Sequence, residues 1–275
     1  MLTLSHLANL MALVFGDRPE TMQLVARNLR QARLVATGGR GRGGARQQPH
    51  HVANMIIAAC ASGQVSDAAA AVSTFAKLEL EPVVLRSRSQ LYRPPQKHIE
   101  LRKVEPTVPK ELAFATKANV TFGSVLADLV EMAANGGLYG LLMSYATDFV
   151  DRDLLRAGAD AIKQAPRGKR PEVTAAFAAR MATHVQALIE QSAVYLKVSF
   201  ARPLPAAQLE FGTQSEGMAT RLLRANFALP TAFVANPRNA QKLSAWRRMD
   251  RSHRITITHR TLLSIGQAVA AEEGV

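Results

Sequence analysis

The sequence predicts a mainly α chain of the α+β type, and three observations predict it. Apolar residues recur at helical spacing through most of the 275 residues. Near the start, two such helices are separated by Thr37-Gly-Gly-Arg-Gly-Arg-Gly-Gly-Ala-Arg46. Towards the end the period drops to two over 194–200, 208–211 and 254–258, which adds a small C-terminal sheet.

Ser5 caps a first helix that runs to about Phe15, with Leu7, Leu10, Met11 and Val14 apolar. Gly16-Asp17-Arg18-Pro19 has the length of a helix-turn-helix connection. Asp17 as N-cap, an acid three positions on and a proline in the first turn open a second helix, expected over 20–35. Met22, Val25, Leu29 and Ala32 form its buried stripe. The opposite face holds Gln23, Arg27, Arg30 and Gln31, and Gln and Arg are side chains that read base edges bidentately and grip phosphates. The glycines that follow permit a tight, exposed loop, loaded by Arg40, Arg42 and Arg46. Short strands are expected at 34–37 and 44–48 on either side of its tip. Pro49 starts a third helix with Val52, Met55, Ile56 and Ala59 buried, and Ser66 or Asp67 opens an alanine-rich fourth helix to about Leu78. These pieces are expected to make a domain over 1–80.

Residues 81–110 read as a basic linker. They hold Pro82, Pro94, Pro95, Pro106 and Pro109, with a short strand expected at 83–85. Residues 111–275 return to helical spacing and are expected to oligomerise or bind a partner. A helix over 120–134 stops at Gly136-Gly137, and one or two more fill 138–165. An exposed basic loop at 166–171 precedes a long helix opened by Pro171 and Glu172. Between and after the strands, helices are expected at 217–228, at 237–249 with Asn236 as cap, and at 261–271.

Thirty-four Lys and Arg against 21 Asp and Glu leave +13, a balance that favours polyanionic partners. A second basic segment carries Arg238, Lys242, Arg247, Arg248, Arg251, Arg254 and Arg260 against one acid, Asp250, with Trp246 among them. Lys242, Arg247 and Arg248 therefore join the phosphate-contact candidates. Cys60 is the sole cysteine, so no internal disulfide forms, and its apolar run predicts a buried structural thiol in a reducing cytosol. Apolar runs of about ten residues are too short to span a bilayer, so a cytoplasmic protein without a membrane partner is expected.

Catalytic signals are missing. No histidine has metal-ligand spacing, and the glycine stretch lacks the Gly-Lys-Ser/Thr ending of a phosphate loop. There is no Gly-x-Ser-x-Gly elbow and no His-Glu-x-x-His helix. Asp148, Asp151 and Asp153 sit beside arginines, as on a solvated helix face. The expectation is no enzyme, no cofactor and no metal.

The order of helix, polar-faced helix (Thr21 to Val35), glycine–arginine wing (Thr37 to Arg46) and apolar helix (Pro49 to Ala59) resembles winged helix-turn-helix proteins, with a layout similar to MerR-type regulators. The chain is also similar in general appearance to phage or prophage regulatory and packaging proteins. The resemblance implies a double-stranded DNA-binding protein, a transcriptional regulator that self-associates. Its second helix would enter the major groove with Gln23, Arg27, Arg30 and Gln31, and the wing would sit on phosphate or in the minor groove. The alternative is a phage-type structural or assembly protein with a basic surface that binds protein or nucleic acid without reading sequence.

Overall fold

The N-terminal apolar stripes close on one another as four helices. The computed structural model describes residues 2–38, 45–81, 108–147, 150, 152–215, 218–247 and 253–273. Helix α1 (Leu4–Phe15) is capped by Thr3, whose hydroxyl accepts from the His6 amide at 3.3 Å, and not by Ser5. It ends at Gly16, whose φ of +69° suits a residue without Cβ. Helix α2 (Pro19–Gln31) begins at a proline that has no amide to leave unsatisfied. Its cap is Arg18 rather than Asp17, and no side chain closes it. The helix stops short of residue 35 because Arg33 turns to φ +59° and the Leu34 amide returns to the Leu29 carbonyl at 2.9 Å. Helices α3 (Pro49–Ala61) and α4 (Ala68–Phe75) follow, with Val52, Met55 and Ile56 fully buried.

Further along lie α5 (Phe122–Ala134), α6 (Gly137–Thr147), α7 (Arg152–Gln164) and α8 (Arg170–Glu190). Thr121 caps α5, and Gly136 at φ +78° makes the turn into α6. The long helix starts one residue before Pro171, and the Arg170 guanidinium caps α7 by donating to the Ala165 carbonyl at 3.2 Å. Helices α7 and α8 pack on each other over Gly158, which is buried under the Phe177 ring. Most of the first half of α8 is exposed, and only its last turns bury residues, Val185 and Ile189.

Five antiparallel strands form one sheet in the order β1 (Glu79–Leu80), β4 (Met218–Ala228), β3 (Ala206–Ser215), β2 (Val194–Arg202), β5 (His253–Thr258). Register sets Leu196 opposite Phe211, Val198 between Leu209 and Ile257, and Phe200 beside Ala207. These residues, with Leu223, Ala225 and Phe227, make the buried face. The other face is polar: Lys197, Ser199, Gln208, Glu210, Arg224 and Asn226 share it. The helix expected at 217–228 is therefore a strand. Its Leu223, Ala225 and Phe227 alternate to meet the apolar face of β3, and pairing on both edges overrides a local pattern that also fits a helix. Helix α9 (Thr231–Ala235), a 3-10 turn (Pro237–Asn239) and α10 (Ala240–Arg247) separate β4 from β5. Asn236 caps that turn by accepting from the Arg238 amide at 3.0 Å, so the expected single helix from 237 is split. The last helix, α11 (His259–Glu273), is longer than expected.

The expected boundary near residue 80 does not divide the core. Helix α3 packs on α5, α11 packs on both α5 and α1, and β1 pairs with β4. Phe75, Phe122, Phe200 and Phe227 stack at centroid distances of 5.4 to 6.1 Å, and buried residues from Leu2 to Val269 form one cluster. The strand expected at 83–85, like residues 82–107 as a whole, lies outside the described residues. Among the described residues no single helix is long and apolar enough to cross a membrane.

Candidate nucleic-acid interface

Helix α2 is amphipathic because Met22, Val25, Ala26 and Leu29, spaced at three and four, enter the core and leave one face outside. Arg27, Arg30 and Gln31 are exposed on that face, together with Glu20, Leu24 and, just past the helix, Arg33. Among the described residues, Arg27, Arg30 and Arg33 form no ion pair. They hold their charges on the surface outside any ion pair among the described residues, in a chain of +13.

Gln23 behaves differently from its expected neighbours. Its amide nitrogen donates to the Ser5 carbonyl at 3.2 Å, the Ser5 hydroxyl at 3.1 Å and Asn9 Oδ1 at 3.0 Å. Through its amide nitrogen the side chain ties α2 to α1, a helix–helix contact that its place on the polar side of α2 does not announce. Periodicity alone cannot separate the expected reader from such a tie, because Gln23 lies on the polar side of α2 but at the seam with α1. Next to it, Pro19, Glu20, Gln23, Leu24 and Arg27 line a shallow hollow of about 510 Å³ in the first two turns of α2.

After α2 the chain enters the glycine–arginine loop, and its two stalks come together again before α3. The expected strands at 34–37 and 44–48 do not form: 34–38 and 45–48 carry no strand hydrogen bonding. One side chain takes the place of a ladder. Gln47 is 2% exposed, and its Oε1 accepts from the Ala36 amide at 3.2 Å while its Nε2 donates to the Ala45 carbonyl at 3.0 Å. The Gln47 amide in turn donates to the Leu2 carbonyl at 3.0 Å, and Asn54 on α3 donates to the Leu34 carbonyl at 2.7 Å. The stalks pass so closely that a Cβ on Gly38 would fall 2.4 Å from the Ala45 nitrogen, which fixes glycine there. Arg46, at the base of the loop, is exposed. Arg40 and Arg42 lie outside the described residues.

At the far side of the stem, α3 opens with a reciprocal cap. His51 Nδ1 accepts from the Gln48 amide at 3.0 Å, and the His51 amide donates to the Gln48 carbonyl at 2.9 Å. Burial, and secondly the neighbouring His50, push the His51 imidazole down to about 4, so at neutral pH it keeps the lone pair this cap requires. Deeper in the same helix, burial raises the Cys60 thiol to about 12, which leaves a structural and unreactive group, as its apolar run predicts.

Among the described residues, the second basic segment packs elsewhere. Lys242 is exposed on α10 with its ammonium 5.9 Å from the Phe233 ring centroid, and α10 packs mainly on the adjacent 3-10 turn. Leu243 points inward as expected. Arg248 lies outside the described residues, as do the side chains of Trp246 and Arg247, and as do Asp148 and Asp151. Among the described residues no group of three His, Cys, Asp or Glu side chains could hold a metal ion. The exposed leucine at position 24 escapes sequence reading, since the apolar count of α2 is already met by its buried stripe. No protein-family model matches the chain, and neither a curated protein nor a solved structure matches it significantly.

Proposed function

We propose that the chain is a non-enzymatic double-stranded DNA-binding protein acting as a transcriptional regulator, with α1 to α4 serving as a winged helix-turn-helix. Helix α2 lies in the major groove with Arg27, Arg30 and Gln31 at base edges, and the glycine–arginine loop reaches phosphate or the minor groove. The observation that carries this reading is the exposed face of α2, where Arg27, Arg30 and Arg33 stand without a carboxylate partner among the described residues, beside the stem held by Gln47. Arginine on an exposed helix face suits bidentate contact with guanine and the phosphate backbone. Self-association would place two such helices on successive half-sites.

The test is binding to duplexes selected from a random pool, titrated in rising salt with and without random competitor. A selected site should be enriched in guanine or adenine. Arg27→Ala should weaken that site roughly 10- to 100-fold while changing random duplex far less. Equal loss on every sequence would favour the second reading, an assembly protein with a general phosphate grip. The feature in favour of that second reading is the α7–α8 pair, whose exposed turn Arg167–Lys169 is basic.

A further inference from the structure

We propose that Leu24 reads the 5-methyl group of a thymine in the major groove, beside the base edge met by Arg27. The inference rests on the DNA-binding reading and names what the hollow on α2 accepts. Leu24 is 51% exposed, whereas Met22, Val25, Ala26 and Leu29 of the same helix are exposed by 3% or less. It lines the 510 Å³ hollow with Pro19, Glu20, Gln23 and Arg27.

The surroundings select one occupant. The Gln23 amide nitrogen, at the wall of the hollow, lies within 3.0–3.2 Å of three acceptors on α1, which holds that wall against α1. Leu24 and Arg27 are three residues apart and therefore neighbours on the helix, about 5–6 Å between Cβ atoms. That spacing covers one to two base steps of ~3.4 Å. Thymine is the base that offers an apolar group in the major groove, and an aliphatic side chain is its natural contact. A second copy of the chain seated on Leu24 would cover the leucine but leave Arg27, Arg30 and Arg33 unmatched. Duplex DNA accounts for both, taking the arginines on guanine and phosphate and the leucine on a methyl.

The experiment replaces each thymine of the selected site, one at a time, by deoxyuridine, which removes only the methyl. Wild-type protein should lose roughly fourfold in affinity at one position, the worth of one buried methyl. Leu24→Ala should bind the thymine site correspondingly more weakly and show no further loss on the uracil site. Because Leu24 is exposed the variant should melt with the wild type, and the deoxyuridine series on wild-type protein needs no variant at all. If Arg27→Ala weakens the selected site far more than random duplex but no deoxyuridine position matters, or if the deoxyuridine loss is the same in wild type and Leu24→Ala, the assignment of Leu24 is wrong and the DNA-binding reading survives. If Leu24→Ala abolishes self-association and leaves DNA affinity unchanged, the hollow belongs to a second copy. If no duplex is preferred at all, both readings fall together.

Discussion

The Gln47 amide is a single side chain that closes a loop, so removing its polar atoms while keeping its bulk isolates what it does. Gln47→Leu leaves a side chain of similar size in a site that is 2% exposed, and deletes the bonds to the Ala36 amide at 3.2 Å and the Ala45 carbonyl at 3.0 Å. A hydrogen bond contributes about 1 kcal/mol net, and an orphaned buried donor costs ~1–3 kcal/mol. Both groups sit beside a loop, where water can partly replace the missing partner, so the expected loss is about 2 kcal/mol. For a chain of this size each kcal/mol moves the midpoint by roughly 2–4 °C, which predicts a Tm drop of about 4–8 °C. Hydrogen exchange at Ala36 should accelerate in step, because Gln47 is the partner of its amide among the described residues. If the stem sets the loop on DNA, affinity should fall, and the slope of log K against log salt should shrink by ~0.9 for each phosphate no longer neutralised. The discrimination due to Arg27 should survive. An unchanged Tm together with an equally protected Ala36 amide would refute the reasoning outright.

Three more outcomes are expected. A Cβ on Gly266 would lie 2.5 Å from the Ala133 carbonyl carbon and 2.7 Å from its oxygen, so Gly266→Ala should cost ~1–3 kcal/mol despite the better helix propensity of Ala, and Ala133→Gly should not rescue it; a Tm at or above wild type would show that α5 and α11 can move apart freely. His51 and His259 are both held below the ordinary histidine range, chiefly by burial, so the unfolded chain binds protons more readily than the folded one. Stability should be full above about 6.5 and decline as pH falls towards 4, and His51→Gln should flatten some of that decline in melts run across the range. A fragment of residues 1–80 lacks α5 and α11, which cover α3 and α1, and should not melt cooperatively by circular dichroism.

What the sequence made legible was whatever depends on local pattern. The stripe at Met22, Val25 and Leu29, the break that begins at Gly16 and the strand alternation over 194–200 all follow from local pattern, and the structure has them in α2, at the end of α1 and within β2. The misreadings share one cause, which is that tertiary partners are invisible in a single sequence. Residues of β4 fit a helix until β1 and β3 flank them. Prolines after residue 80 look like a boundary until α11, close to the far end of the chain, packs on α1 and α5. Residues 34–37 and 44–48 look like paired strands until Gln47 is seen to replace a two-strand ladder with one amide.

The same blindness decides the candidate interface, and it bears on which residues to mutate first. Gln23, Arg27 and Arg30 are equivalent by composition and spacing, yet α1 takes Gln23 and leaves the arginines. A substitution at Gln23 would therefore loosen the α1–α2 seam and weaken every duplex alike through misplacement of α2. A substitution at Arg27 would leave the helix in place and, on the proposed DNA-binding reading, penalise only the selected sequence. Comparing the two variants on selected and random duplex thus separates a residue that positions the helix from one that touches the base. If Gln23→Ala discriminated between sequences as strongly as Arg27→Ala, the tie to Ser5 and Asn9 would have to release on binding, and α2 would meet DNA in a different orientation from the one its exposed face provides.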